Sequence, residues 1–415
     1  MVKHQEIQTV KLIGSRLLAE ANDLKRTIES ISDEIGIDLL TLKKIVDGDA
    51  SYQEAVNIAT IFAENFPVSL GDLIIDLPDH ANGVSIMRSN ESERSSRVFK
   101  RKDKRDQLSD YYEYRDTATS NISPFKPEWI KELRFVNDSN PENPDVAYNN
   151  GHFLHQMTAF IGPVNFYWEV GGKKYCQEMN TGDSNYITPF WKHSFTTRSK
   201  EQDAIIIAVT FAGNAARARK EMYHLSKSSM SQFILENRDI NKARSALISQ
   251  ILSDRCINED QFNQICFKND IKISYNDIRS NSEVAEESLE KLSSVIGVSP
   301  SIFSLPIHDN KNEVVIKKRD ATDSFILNGD NLNPDYRVFS LAKNSRMPQM
   351  IGFEFEIIGN EQNLNSELST SLHSYIYNFG KYPVKFSWQI NDGPQNKSFQ
   401  KIISPGDSIY IDDIY

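Results

Sequence analysis

The sequence predicts an α+β protein in which a helical domain followed by an antiparallel β-barrel is written twice, the second barrel degenerate or truncated. Three observations lead there. Within residues 7–75, apolar positions in IESISDEIGIDLLTLKKIVDGD recur three and four residues apart, the period of helices with one buried face. From about residue 80 the runs become short and β-rich: FIGPVNFYWEV, KKYCQEM, SNYITPF and AIIIAVTF, separated by Gly, Asn and Asp. The pattern then returns, with Trp168 echoed by Trp388 and Gly182-Asp183-Ser184 by Gly406-Asp407-Ser408, at offsets of 220 and 224 residues.

Taken in order, residues 1–78 form a helical domain in which Gly36 breaks one helix from the next and Gly48 stands near a C-cap. AVNIATIFAENF continues it as a further amphipathic helix, and the arrangement resembles the helix-turn-helix domain of Xre/Cro repressors. Residues 79–215 read as the first barrel and 216–306 as a second helical domain, where SLEKLSSVIGVSPSIF repeats the earlier pattern. Residues 307–415 read as the second barrel. Adding the repeat offset to His193 passes beyond Tyr415, so a metal site is expected in the first barrel alone.

Composition narrows the function classes. A net charge of −10 gives no global attraction to nucleic acid or to an anionic membrane. No apolar run approaches the roughly 18 residues that a span requires. The first residues lack an apolar stretch followed by a small-residue cleavage site, and Cys176, Cys256 and Cys266 suit reduced thiols, so a cytoplasmic protein is expected.

The segment carrying most chemistry is Asn149-Asn150-Gly151-His152-Phe153-Leu154-His155-Gln156, followed much later by Pro189-Phe190-Trp191-Lys192-His193. Alternate residues of a strand share a face, so His152 and Gln156 should point one way and His155 the other. With His193 they make a candidate facial metal set. Iron(II) oxygenases usually use two histidines and one carboxylate, leaving positions open. Here the carboxylate is hard to find: Glu169 follows Trp168 near a hairpin turn, Glu178 sits in a separate strand, and position 187 is isoleucine.

The strings NNGH, then Gly162-Pro163 with Asn165 and Trp168, then TGDSNYITPFWKH resemble the hydroxyethylphosphonate dioxygenase and methylphosphonate synthase family over nearly the whole chain. The resemblance implies cupin barrels, Fe(II), O₂ and 2-hydroxyethylphosphonate, with His152, Gln156 and His193 as metal ligands. In the dioxygenase branch a glutamate occupies the position of Ile187; in the synthase branch it is lost and a glutamine four residues after the first histidine serves. Ile187 and Gln156 therefore point to a methylphosphonate synthase, which cleaves the C–C bond to give methylphosphonate and CO₂ or bicarbonate. The alternative product set, hydroxymethylphosphonate and formate, belongs to the dioxygenase.

The same resemblance implies that Asn149, Arg105, Tyr114 and Lys25 hold the phosphonate, Lys25 and Tyr114 acting in catalysis, and that the chain forms a homo-oligomer, dimer or tetramer. Ala208 stands where the family offers a serine hydroxyl. A transcription regulator is the rival class. DLLTLKKIVDGD carries Lys43 and Lys44, but no Arg, Asn or Gln for bidentate base contacts, which speaks against DNA as a partner.

Overall fold

A computed structural model of the chain describes residues 2–74, 76–80, 82–212, 239–305, 313–329, 334–344, 347–359, 372–392 and 395–412. It separates into two compact units, Met1–Ser89 with Thr117–Pro124 and Thr370–Tyr415, and Asn90–Asp116 with Phe125–Ser369. No described helix is long and apolar enough to cross a membrane.

The first unit opens with α1 (Val2–Asp23), α2 (Ile28–Ile35), α3 (Leu39–Asp47), α4 (Tyr52–Asn65) and α5 (Leu70–Leu73). Gly36 and Gly48 end α2 and α3 in the left-handed region at φ 70° and 79°, where a side chain would be strained. Ser51 and Glu54 cap α4 reciprocally. Val10, Ile13, Ile45, Ile58 and Phe62 close a core among them. This unit also holds β1 (Val84–Met87), which with β15 (Ser374–Tyr377) and β18 (Ser408–Ile411) forms a sheet in the order β1-β18-β15, and the hairpin of β16 (Val384–Asp392) and β17 (Gln395–Ile403).

The second unit contains a seven-stranded sheet of β2 (Arg97–Lys102), β3 (Leu108–Arg115), β4 (Phe125–Glu132), β5 (His155–Ile161), β8 (Ser184–Ile187), β10 (Ile205–Phe211) and β11 (Val314–Lys317). Their order is β11-β8-β5-β10-β4-β3-β2. A three-stranded sheet, β6 (Val164–Val170) flanked by β7 (Lys173–Met179) and β9 (Lys192–Thr197), packs in the same core. Phe160, Val164, Phe166, Ile187, Phe195 and Val314 fill it. Helices Ile240–Asp254, Glu259–Lys268 and Glu286–Ile296 enclose their own core around Phe262 and Leu292.

The duplication holds at the level of single hydrogen bonds. Asp183 accepts from the backbone N–H groups of Asn180 and Arg319, at 2.8 Å each. Asp407 accepts from those of Ser404 and Ser89, at 2.9 and 2.8 Å. Ser184 Oγ takes the N–H of Ala342 and Ser408 Oγ that of Ala118. Gly182 and Gly406 turn at φ 85° and 84°. His155 bonds Tyr186 Oη as His373 bonds Tyr410 Oη.

Strand pairing departs from the linear ranges 79–215 and 307–415. β1 lies in the first range yet pairs with β18 of the second, and β11 lies in the second yet pairs with β8 of the first. The physical reason is edge satisfaction: β8 and β18 would otherwise show unpaired backbone groups, and the strand following each helical domain supplies them. The expected boundaries near 215 and 306 lie outside the described residues.

Candidate metal centre and anion pocket

Loop pairing, more than a shared strand, brings the two histidines together. β5 begins only at His155, so His152 sits in the loop before it, correcting the expectation that one strand carries both His152 and Gln156. That loop is zipped to the one before β9: Asn149 N donates to His193 O at 3.0 Å and Phe190 N to His152 O at 2.8 Å. Gly151 (φ 74°) makes the approach possible, because a Cβ there would fall 2.4 Å from Phe190 O. Phe190 itself is held at φ 76°, a strained setting for a bulky residue. The imidazole centroids end 5.1 Å apart at 83°.

Hydrogen bonds select the tautomers. His152 Nδ1 lies 2.8 Å from Leu154 O, and His193 Nδ1 lies 2.9 Å from Trp191 O. A carbonyl only accepts, so both Nδ1 atoms carry the proton and both Nε2 lone pairs face the cavity. Burial lowers the pKa of His193 to about 3, which keeps it neutral. With the ring neutral and Nδ1 the donor, His152 Nε2 and Gln156 Oε1 face each other at 3.1 Å as two acceptors. A cation reconciles that contact. Gln156 Nε2 donates to Thr158 Oγ1 at 2.9 Å, with Oε1 turned toward His152. The donor set of two imidazoles and an amide oxygen therefore fits a divalent metal, with backbone carbonyls orienting the rings. Among the described residues, no cluster of three or more His, Cys, Asp or Glu could hold one.

Sheet register explains the missing carboxylate. Gln156 lies directly across from Ile187 on β8, and Ile187 is fully buried. Hydrocarbon fills the place beside the amide. Glu169 and Glu178 pair with Lys192 and Arg198 instead, outside the cavity. His155 turns to the opposite face and stacks on Phe211 at 5.4 Å.

The three groups line a cavity of about 260 Å³ together with Asn149, Tyr114, Tyr112, Arg101, Lys126 and Glu128. Asn149 Oδ1 accepts from Gly151 N and His193 N, which fixes its amide, and Nδ2 lies 2.9 Å from His193 Nε2. Burial raises the pKa of both Tyr112 and Tyr114, so each is a protonated phenol able to donate.

Arg105 does not reach this cavity. It is half-exposed, and its guanidinium pairs with Asp103 and Asp145. Arg101 lines the cavity instead, lying 4.7 Å over the Tyr112 ring and donating to Ala147 O at 2.8 Å. A β-bulge does this: the register shift between Phe99 and Lys100 leaves Tyr111 as the extra residue, so Tyr111 and Tyr112 are both buried and Arg101 lies over both rings. Bulges are poorly visible in a period-two pattern. Lys126 and Glu128 were also missed, though they alternate on β4. Burial, opposed by Arg97, His152 and Lys126, raises the pKa of Glu128. Lys25 belongs to the first unit, in the turn after α1 at φ 60°, its N–H donating to Asn22 O at 3.0 Å.

Comparison with known proteins places these residues in context. The chain is 33% identical over 407 residues to a protein of Nitrosopumilus maritimus named methylphosphonate synthase, covering 96% of this chain and 84% of the relative. It matches the structure of Streptomyces albus HEPD, solved with 2-hydroxyethylphosphonate and Fe(II) bound, at a TM-score of 0.82 and 28% identity, over 99% of this chain and 88% of that one. PhpD solved with cadmium atoms shares the fold at a TM-score of 0.67 and 18% identity, over 96% and 88% of the two chains. No family model matches.

Proposed function

The chain belongs to the methylphosphonate synthase family, and from that premise we propose that it is a non-haem Fe(II)- and O₂-dependent synthase acting on 2-hydroxyethylphosphonate. One observation carries the reading: Gln156 Oε1 stands against His152 Nε2 while buried Ile187 fills the neighbouring position. The overall change balances as 2-hydroxyethylphosphonic acid plus O₂ giving methylphosphonic acid, CO₂ and water. The substrate supplies all four electrons, so no external reductant or 2-oxoglutarate enters.

His152, His193 and Gln156 would hold the iron, in a site we read as the interior of a cupin barrel. When bound, iron supplies oxygen activation and a Lewis-acidic seat for an anionic ligand. A neutral amide in place of a carboxylate leaves that seat one unit more positive, which favours a dianionic substrate. Arg101 presents the geometry suited to a phosphonate, and Lys126 adds a second cation. Tyr114 and the Asn149 amide donate to the remaining oxygens. Lys25, by the family resemblance, contributes a further cation. Phe195 and Leu154 help wall the cavity against water. The protein is read as cytoplasmic and oligomeric on sequence grounds alone.

The test is anaerobic loading with Fe(II), addition of 2-hydroxyethylphosphonate and O₂, and phosphorus NMR of the products. Methylphosphonate supports the synthase. Hydroxymethylphosphonate with formate would move the chain to the dioxygenase reaction, the second reading that the likeness to HEPD keeps open.

A further inference from the structure

The overall change moves a proton as well as carbon and electrons. Of the hydrogens on the two carbons of 2-hydroxyethylphosphonate, three end in the methyl group and one in water. The second hydrogen of that water is the alcohol proton. It must leave the alcohol oxygen, which ends in CO₂, and reach the reduced oxygen atom that departs as water. Carrying it within the cavity calls for a side chain that both accepts and releases a proton.

Most of the lining cannot do this. Arg101 and Lys126 offer donors and no lone pair. Burial raises the pKa of the Tyr112 and Tyr114 phenols and keeps them protonated. His152 and His193 give their Nδ1 hydrogens to carbonyl oxygens, at 2.8 and 2.9 Å, and keep Nε2 for the metal. Asn149 and Gln156 are amides, and the Thr210 hydroxyl is turned to Lys126 O at 3.3 Å. Glu128 remains, the one carboxyl among the described lining residues.

Strand register sets Glu128 where the chemistry is. Gln156 and Lys126 both stand opposite Thr210 of β10, and Glu128 follows Lys126 by two residues, so it shares the face that carries Gln156. Its carboxyl group makes no hydrogen bond and no ion pair with any described residue. The ionisable groups that face it are Arg97 of β2, His152 before β5, Lys126 of β4 and Asp116 after β3, and Arg97 is already paired with Asp116 at 2.7 Å. Burial, opposed by Arg97, His152 and Lys126, holds the Glu128 pKa above the ordinary 4.5 and so nearer neutrality, as suits a proton carrier. An ionised carboxylate would also repel a phosphonate dianion in the same cavity, a conflict that disappears once the carboxylate has taken a proton.

We propose that Glu128 is the proton carrier of this cavity: its carboxylate takes the alcohol proton of 2-hydroxyethylphosphonate, becoming the neutral acid, then gives it to the reduced oxygen that leaves as water. The carboxylate is regenerated, it forms no bond to carbon, and no electron passes through it. The inference rests on the reading of 2-hydroxyethylphosphonate as substrate and extends it.

Two readouts on the full chain test it. In the first, without O₂, infrared difference spectra of the Co(II)-loaded parent follow addition of 2-hydroxyethylphosphonate or of ethylphosphonate, which has no alcohol proton. The C=O stretch of a protonated carboxyl should appear with 2-hydroxyethylphosphonate only, and should be missing in Glu128→Gln. Its appearance with both ligands, or with neither, overturns the proposal. In the second, Fe(II)-loaded chains turn over 2-hydroxyethylphosphonate. Glu128→Gln keeps the shape but cannot carry a proton, and should lose about 10²- to 10⁴-fold in kcat with KM within a few-fold of the parent. Glu128→Asp should recover part of that loss. Circular dichroism and Co(II) binding check that each variant is folded and holds metal. A parental kcat in Glu128→Gln, while the parent makes methylphosphonate, sinks the carrier and leaves the substrate reading standing. A parent that does not turn over 2-hydroxyethylphosphonate sinks that reading, and the carrier with it.

Discussion

Gln156 takes its chemical character from its neighbours: Ile187 beside it, Thr158 behind it and His152 in front. Replacing it with alanine should abolish activity, whereas Glu169→Ala and Glu178→Ala should leave kcat near the parental value; steady-state O₂ consumption checks all three. Arg101 is the guanidinium that faces the cavity, so Arg101→Met should raise KM for 2-hydroxyethylphosphonate by about 10- to 100-fold, the 1.5–3 kcal/mol typical of a hydrogen bond to a charged group. Arg105→Met should not, because its charge is already spent on Asp103 and Asp145. His152, Gln156, His193, Asn149 and Tyr114, named from the sequence by strand spacing and family resemblance, come together around one cavity. Arg101 was not, since its orientation depends on one inserted residue in the partner strand.

At the scale of elements, β4 places Lys126, Glu128 and Glu132 at alternate positions. Glu132 is buried with neither carboxyl oxygen hydrogen-bonded among the described residues, and burial, opposed by Arg101, holds its pKa well above the ordinary 4.5. The folded state therefore binds this proton more tightly than the unfolded chain. Stability from the group is complete below about pH 4.5 and is lost as pH rises toward the folded pKa, by up to about 1.4 kcal/mol per pH unit. Glu132→Gln cannot ionise, so its advantage in urea unfolding over the parent should grow from pH 5 to pH 8. A gap that stays constant with pH would show that Glu132 is not the responsible group. Helix ends were readable from Gly36 and Gly48, because capping is local chemistry. Which strand pairs with which is not local, and the pairing of β11 with β8 had no sequence signal.

Across the whole molecule, the repeated turns around Asp183 and Asp407 explain why the internal duplication could be read from two short strings. The tryptophans match as well: Trp168 stacks on Phe166 and Tyr175, and Trp388 on Phe386 and Phe399. What the strings could not reveal is that strand partners are taken from far along the chain. Val314 on β11 lies directly opposite Ile187 and is buried in the same core. Val314→Asp should therefore cost about 3 kcal/mol or more in unfolding measurements, although it is 121 residues from His193 in sequence.

That pairing also sets a clock on biosynthesis. His193 leaves the ribosome 124 residues before Lys317, the last residue of β11. At ordinary elongation rates of roughly 5–20 residues per second, the nascent chain carries both imidazoles for about 6–25 s before β11 can dock on β8, the strand that pairs with the Gln156 strand. The sheet that flanks the candidate site is thus completed late in translation, and the half-made protein passes through an interval in which His152, Gln156 and His193 are present but not yet enclosed.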